Sequence, residues 1–323
     1  MHFWSHVRRI VAVVLLGAMS IPAGTLAARA EEPPIYLDWP TLLPSLTDTY
    51  NPTSANECVA GRPHCIDATI KEMRRRFQVL GSSCDHNAVF SLAYLRTTQT
   101  YKWARDQDGY FADTPWVNHA DAVFAKYYFN AYDRWAAGRR DEVPEAWSIA
   151  FDAAAAQRVT GSGDLLLGMS AHVNRDLPLV LAAIGISTPD GQPRKPDHDK
   201  VDEFLNTVVQ PLLTELAARL DSDVVHLVTP YGVGYTGLFQ TLQAWRERAW
   251  RNAELLTNAP TAQVRAVVAQ EIEVAAATEA SSLALANTYV PPLTTSGPRN
   301  TFCARHNADP PPMSYAFGPA SAY

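Results

Sequence analysis

The stretch Gly163–Gly185, GDLLLGMSAHVNRDLPLVLAAIG, is apolar at nearly every position and is long enough for about six helical turns. A helix that is apolar around its whole circumference belongs in the middle of a large core, so we expect the rest of the chain to pack around it. A short polar block interrupts the stretch and consists of Ser170, His172, Asn174, Arg175 and Asp176. Each of these groups needs a partner, because burying a polar group unpaired costs roughly 1 to 3 kcal/mol.

Apolar residues recur at helical spacing on both sides of this segment. Ile66, Ile70, Met73 and Phe77 follow one another at i, i+4, i+7 and i+11, which places them on one helical face. The same pattern predicts further helices over residues 83–106, 116–137, 144–160, 197–220, 238–258 and 260–287. The sequence shows neither the alternation typical of strands nor internal repeats. We therefore expect an all-α protein, a single domain of about eight helices around the buried central helix.

The chain divides into four segments. Residues 1–30 combine the basic pair Arg8 and Arg9, a following apolar run and a small-residue cleavage pattern, as in a signal peptide. Residues 31–65 form an irregular lead-in, residues 66–290 the helical domain, and residues 291–323 an extended, proline-rich tail. The central helix carries His, Arg and Asp at its centre, so we expect no transmembrane segment after signal cleavage. These features predict a secreted protein, either extracellular or in the cell envelope.

The charge balance limits the classes of partner. Removal of residues 1–30 takes away three of the 27 basic residues and none of the 33 acidic ones, which leaves a net charge of −9. A protein this acidic has no electrostatic footprint for the phosphate backbone of nucleic acids. The sequence contains no Walker-type loop and no dinucleotide fingerprint, so we expect no nucleotide cofactor. The remaining partners are a small molecule or a component of the envelope.

Four cysteines in an exported chain favour two disulfides. Cys58 and Cys65 enclose a turn with glycine and proline that can bring them together, and Cys84 with Cys303 is the remaining pair. Four cysteines allow three connectivities, and sequence alone does not choose among them. A zinc site built from these cysteines is disfavoured because the chain has no C-x-x-C.

His172 and Asp176 are the strongest candidates for chemistry. They stand four residues apart, so on a helix they project from one face, one turn from each other. Imidazole and carboxylate are both metal ligands, and this spacing presents them to a single divalent ion such as zinc. His119, near the start of an aromatic helix, is the candidate third ligand. The alternative is a buried His–Asp hydrogen-bonded pair that only orients helices.

The run LGMSAHVNRDLPL resembles a motif of the zinc-dependent phospholipase C and single-strand nuclease superfamily. In that motif a helical G-x-x-x-H-x-x-x-D followed by proline supplies zinc ligands in an all-α, secreted enzyme. Gly168, His172 and Asp176 occupy the corresponding positions, and Pro178 follows nearer to the aspartate than the motif leads us to expect. The parallel covers one helix, and the sequence EEPP at the expected mature N-terminus lacks the tryptophan ligand of that superfamily.

Most of the mature chain resembles another family, frequent in actinobacteria and known as domain of unknown function 5995. The similarity rests on four segments, WVNHADAVFAKYYFNAY, LLLGMSAHVNRDLPLVLA, DHDKVDEFLN and RERAWRNAELL. The matching positions are His119, His172, Asn174, Asp176, Asp199 and Arg248. Ser170 stands where the family usually has asparagine, which weakens any role for that side chain. The resemblance implies an all-α fold and supplies no activity.

Two hypotheses of function follow. In the first, the protein is a metal-dependent hydrolase of a phosphoester or related bond, in which a metal-bound water becomes the nucleophile. Its candidate metal ligands are His119, His172 and Asp176, and its candidate anion or substrate contacts are Arg248, Asn174 and Asp199. In the second, it is a non-enzymatic binding or scaffold protein of the cell envelope whose His–Asp block is structural. Metal stoichiometry separates the two hypotheses.

Overall fold

Residues 48–227 and 233–323 are described by a computed structural model. The described residues are 69% helical and contain no strand, so the all-α prediction is confirmed. The predicted signal peptide, residues 1–30, lies outside the described residues, as does the lead-in up to residue 47. No helix in the described ranges is both long enough and apolar enough to cross a bilayer.

The described residues form nine helices when the central segment is counted as one. The helices are α1 (Pro63–Ser82), α2 (Ala88–Arg105), α3 (Thr114–Ala136), α4 (Glu145–Ala155), α5, α6 (Lys195–Arg219), α7 (Val233–Thr257), α8 (Ala262–Ala286) and α9 (Gly297–His306). The central helix α5 has three parts, Gly161–Ser170, Ala171–Asp176 and Leu177–Ile184. Two 3-10 turns, Arg140–Glu142 and Ser222–Leu227, connect neighbouring helices.

Two helices have a proline in their first turn and begin in segments that the sequence predicted to be irregular or extended. Helix α1 begins at Pro63, inside the predicted lead-in, and α9 lies within the predicted extended tail with Pro298 in its first turn. Proline is compatible with the first turn of a helix, because an N–H there has no partner within the helix and φ is already near the helical value. In both segments proline therefore marks a helix start.

Helix α5 lies in the core, as its composition predicted. It contacts α2, α3, α4, α7 and α8. Leu165, Leu167, Val180 and Leu181 are each at most 2% exposed. Gly168 permits the close approach of α2, since a Cβ at this position would lie 2.4 Å from the Phe90 ring.

The middle part of α5, Ala171–Asp176, is a π-helix. The Leu177 N–H donates to the carbonyl oxygen of His172, five residues earlier. Pro178 explains the change of pitch, because it has no N–H to offer and its ring excludes the carbonyl four residues before it. Isolated π segments in α-helices are rare and are frequently found at functional sites. This one contains both His172 and Asp176.

Both predicted disulfides are present. Cys58 pairs with Cys65 at a Cα–Cα distance of 5.0 Å, and Cys84 pairs with Cys303 at 5.9 Å. The second bond joins the residues just after α1 to α9, across 219 positions of sequence. The described residues contain no free cysteine.

Candidate functional site

The His172–Asp176 pair forms within the π segment. His172 Nδ1 lies 3.0 Å from Asp176 Oδ2, and the two residues are 3% and 0% exposed. Trp147 Nε1 donates to the same oxygen at 2.9 Å, and Arg175 donates to Oδ1 at 2.9 Å. Each carboxylate oxygen thus accepts at least one hydrogen bond, so Asp176 orients the imidazole ring.

These contacts determine which ring nitrogen of His172 remains for a ligand. Burial lowers the pKa of His172, and the neighbouring Asp176 only partly opposes this effect. The ring is therefore neutral near pH 7, with its proton on Nδ1 facing the carboxylate and a lone pair on Nε2. Nε2 is buried and has no hydrogen-bond partner among the described residues.

Aromatic rings surround the imidazole of His172. The Phe124 ring stacks on it with 3.4 Å between centroids and 5° between planes. The Tyr94 ring meets it at 64°, with 4.5 Å between centroids. Because one face is covered by Phe124, the edge that carries Nε2 is the part of the ring left for a ligand.

His172 lines a cavity between α2, α3, α5, α6 and α7. Its volume is about 170 Å³. Most of the wall is apolar and includes Val117, Val173, Leu181, Phe204, Leu213 and Leu242. An apolar protein cavity of about 150 Å³ takes up benzene, so this cavity has room for a ligand with about one ring or a short alkyl chain.

Tyr94 and Asp121 contribute two further polar groups to the cavity wall. Tyr94 Oη and Asp121 Oδ2 are buried without a hydrogen-bond partner in the described part of the chain. Burial raises the pKa of Asp121 to about 7, and the Arg105 charge opposes the shift. Burial also raises the pKa of Tyr94 well above its ordinary value, so its hydroxyl stays protonated.

Asp197 and Arg246 also line the cavity, near the start of α6, and their hydrogen bonds hold neighbouring helices together. Asp197 accepts hydrogen bonds from the amides of Ala112 and Asp113 at 2.8 and 2.7 Å. Arg246 donates to Asp202 at 2.6 Å and to the His198 carbonyl. These bonds fasten α6 to α7 and to the start of α3.

The structure does not bring His119 to the His172–Asp176 pair. His119 Nδ1 lies 2.8 Å from the Cys58 carbonyl oxygen, and Nε2 lies 3.0 Å from that of Asp48. His119 and Asp121 are two residues apart on α3 and so point in different directions, His119 toward the lead-in and Asp121 into the cavity. Within the described ranges, no three His, Cys, Asp or Glu residues are arranged to hold a metal ion.

The other candidate contacts are dispersed. Asn174 lies beside the pair in the π segment, where its Nδ2 donates to Ser170 Oγ at 3.0 Å. Asp199 is exposed and forms an ion pair with Lys195 at 2.8 Å. Arg248 is also at the surface, paired with Glu279. Neither Asp199 nor Arg248 lines the cavity.

Asp121 and Tyr94 belong to the site, although neither was predicted from the sequence as a site residue. Tyr94 fits the apolar stripe of its helix, and nothing in its spacing sets it apart from a core residue. Asp121 carried a usable signal, because it is a lone carboxylate in the aromatic run of α3 and stands three residues before Phe124. Residues at this spacing share a helical face, so Phe124, which is partly buried against the core, brings Asp121 toward the same side.

Comparison with curated proteins and with solved structures found no match to this chain. The resemblance to zinc-dependent phospholipases and nucleases thus remains limited to one helix motif. The sequence model of one family, described as a family of unknown function (DUF5995), matches residues 66–286. That range covers the helical domain from α1 to α8, including the candidate site. The chain therefore belongs to the DUF5995 family, as its sequence motifs predicted.

Proposed function

We propose that this protein binds a slim, largely apolar molecule in the cavity beside His172 and holds it by a hydrogen bond to His172 Nε2. The observation that carries the proposal is the unpartnered Nε2 of a buried histidine whose other ring nitrogen is held by Asp176. Small-molecule sites typically combine an apolar wall with a few placed polar groups. Because Nε2 is an acceptor, the ligand brings a hydrogen-bond donor.

The apolar wall supports the same proposal. A cavity in a closely packed interior forgoes dispersion contacts that side chains otherwise make, so an empty one lowers stability. A ligand of about one ring fills the 170 Å³ and restores these contacts. It also supplies a partner for Nε2, whose burial without one costs about 1 to 3 kcal/mol.

We also propose that the protein works outside the cytoplasm, in the envelope or the medium. Two disulfides are typical of oxidising compartments, and they agree with the signal-peptide pattern of residues 1–30. Mass spectrometry of the protein exported by its own leader tests this proposal. We expect a mature chain beginning at Glu31, whereas an uncleaved cytoplasmic chain contradicts it.

Calorimetric titration with two probes of equal shape tests the binding proposal. The probes are 2-phenylethanol, which has a donor, and propylbenzene, in which a methyl group replaces the hydroxyl. We expect His172→Phe to weaken binding of the alcohol about tenfold while leaving the hydrocarbon nearly unchanged, since the new ring can still stack on Phe124. Absence of binding of both probes to the unmodified protein contradicts the proposal.

A cavity-filling variant tests the location. Ala120 lines the cavity, so Ala120→Leu occupies part of it and is expected to weaken both probes. Ala266 is exposed on α8, and Ala266→Leu serves as the matched control that leaves both affinities unchanged. If Ala120→Leu and Ala266→Leu bind each probe with equal affinity, the probes bind outside the cavity beside His172.

Metal-dependent hydrolysis is the second candidate function. It is favoured by the carboxylate-held imidazole, because metal-binding histidines commonly donate their other N–H to a carboxylate. In this arrangement Asp176 is the orienting partner, and His172 Nε2 with Asp121 would hold the ion. The ion would lower the pKa of a bound water so that it attacks a phosphoester or related bond.

Elemental analysis of the exported protein, purified without chelator beside His172→Ala, tests this second function. Stoichiometric zinc, manganese or iron that disappears in the variant supports a metal site. Absence of metal from both proteins, with the variant only less stable, rejects it and leaves His172 and Asp176 with binding and structural roles.

A further inference from the structure

Besides the Tyr94 hydroxyl, which can both donate and accept, the cavity wall has two unpartnered atoms that only accept hydrogen bonds. His172 Nε2 carries a lone pair, and Asp121 Oδ2 belongs to a carboxyl group that accepts when it is ionised. A ligand hydroxyl has one proton to donate and satisfies one of them. A ligand group with two or more N–H donors satisfies both.

The two acceptors are neighbours in the fold. Asp121 and Phe124 lie three residues apart on α3 and face the same side, and Phe124 stacks on the His172 ring. Tyr94 lies near both groups. Its ring contacts the His172 ring, and the charge of Asp121 is close enough to help raise the pKa of its hydroxyl. One ligand group bound beside Phe124 and Tyr94 therefore lies next to both acceptors.

Aromatic side chains line the same cavity. The cavity wall includes Phe90, Tyr94, Tyr101, Trp116, Phe124 and Phe204. The faces of such rings attract cations, with about 2 kcal/mol or more when the cation is removed from water. Rings beside the Asp121 carboxyl group match the chemistry by which proteins bind amines. The other carboxylate of the wall, Asp197, already accepts two backbone hydrogen bonds.

The Asp121 carboxylate has no ion-pair partner in the described part of the chain. Two cations come into question and both are already paired: Arg105, whose charge acts on Asp121, with Asp106, and Arg246, which lines the cavity, with Asp202. A buried carboxylate without a counter-charge is costly, and a bound cation provides that charge. The ligand charge implied is thus positive.

We propose that the ligand of the cavity is an apolar amine bound as its ammonium ion, paired with the Asp121 carboxylate and donating a hydrogen bond to His172 Nε2. The inference rests on the proposed binding function and adds the chemical class of the ligand. The apolar part of the amine occupies the wall formed by α5, α6 and α7, and its ammonium group lies among Asp121, His172, Tyr94 and Phe124.

The test is calorimetric titration with 2-phenylethylammonium, which has the same shape as 2-phenylethanol and propylbenzene. We expect the ammonium ion to bind the unmodified protein about tenfold or more tightly than the alcohol at pH 8. Asp121→Asn keeps the shape of the side chain and removes its charge. This variant is expected to lose that preference while still binding the alcohol, which shows that it is folded.

Asp67→Asn is the matched control for loss of one negative charge, because Asp67 is exposed and its pairing with Lys102 lies at the surface. It is expected to keep the full preference for the ammonium ion. Equal binding of ammonium and alcohol, or an unchanged preference in Asp121→Asn, overturns the inference. If the alcohol still binds and responds to His172→Phe in that case, the proposed binding function stands; if no probe binds, both fail.

Discussion

The imidazole of His172 lies flat on the phenyl ring of Phe124, with 3.4 Å between their centroids and 5° between their planes. This contact links the central helix to α3 at the point where the cavity passes between them. It covers one face of the imidazole while Asp176 holds Nδ1, so the ring has a single orientation. A preoriented acceptor loses little conformational entropy when a ligand binds.

The Asp176 carboxylate is expected to be the most sensitive charged group of the site. In Asp176→Asn an amide group faces three donors, from Trp147, His172 and Arg175, and can accept from only part of them. Breaking a buried charge pair costs about 3 to 5 kcal/mol, and we expect a loss of this size in the free energy of unfolding by urea.

Asp152 offers a matched control for that variant. It also accepts from a tryptophan N–H, that of Trp135 at 2.8 Å, and pairs with an arginine, Arg140, but its side chain is 48% exposed. Asp152→Asn is expected to cost about 1 kcal/mol or less. Equal losses in the two variants contradict the special position assigned to Asp176.

The Asp121 carboxyl is expected to make stability fall as pH rises. Its pKa is raised from an ordinary 3.8 to about 7 by burial, so the folded state holds the proton more tightly than the unfolded state. The contribution of Asp121 to the free energy of unfolding therefore decreases between about pH 4 and pH 7 and then levels off. Relative to Asp121→Asn, which has no carboxyl to titrate, the unmodified protein is expected to lose about 4 kcal/mol across this interval.

Urea unfolding of both proteins at pH 4, 6 and 8 measures this difference. The variant also changes hydrogen bonding, but that effect is independent of pH. The test is therefore how the difference in free energy of unfolding between the two proteins changes with pH, and not its value at one pH. A difference that stays constant with pH shows that Asp121 titrates normally in the folded protein. Asp67→Asn, at the surface, controls for the change in net charge.

Gly168 is expected to tolerate no side chain. A Cβ at this position would lie 2.4 Å from the Phe90 ring, so Gly168→Ala pushes α2 away from α5 and should cost about 1 to 3 kcal/mol by thermal unfolding. At Gly237, in helix α7, no atom lies within 4 Å of the same Cβ. Gly237→Ala is expected to raise stability by up to about 1 kcal/mol, and a similar loss at both sites contradicts the packing argument.

The two disulfides are expected to contribute unequally. Their sequence separations are 219 and 7 residues, and the entropy of the unfolded chain falls more when a longer loop is closed. Replacing Cys84 and Cys303 by serine should cost about 5 kcal/mol, and replacing Cys58 and Cys65 about 2 kcal/mol. Chemical unfolding of the two double variants under oxidising conditions compares them, and a larger loss at the short loop contradicts the loop-length argument.

The sequence predicted most of the fold because its signals are local. Apolar spacing located the helices, and the uniform composition of Gly163–Gly185 identified the buried one. The prediction was wrong around Pro63 and Pro298, where it expected irregular or extended chain and the structure has the first turns of helices. Proline is found in both kinds of structure, so its presence alone does not distinguish them. The sequence also placed His172 and Asp176 side by side, which the structure confirms at 3.0 Å.

The rest of the site depends on tertiary packing. Asp121 and Tyr94 join His172 only because α2, α3 and α5 meet around one cavity, and no spacing within a single helix encodes that meeting. For the same reason, the spacing of residues could not show where His119 points. Its ring nitrogens lie beside carbonyl oxygens of the lead-in. The sequence favoured His119 as the ligand, but the orientation of α3 turns Asp121 into the cavity beside His172.

The π segment Ala171–Asp176 holds one residue more than the corresponding turn of an α-helix. The wider π turn absorbs this residue, so Gly161–Ser170 and Leu177–Ile184 keep the directions of one continuous helix. Deleting one residue here is therefore expected to restore an α-helical turn with both flanks still facing their neighbours, but to move His172 relative to Asp176. Along the lineage of this family, the length of the segment is thus expected to be held by selection on the site and not by selection on the fold.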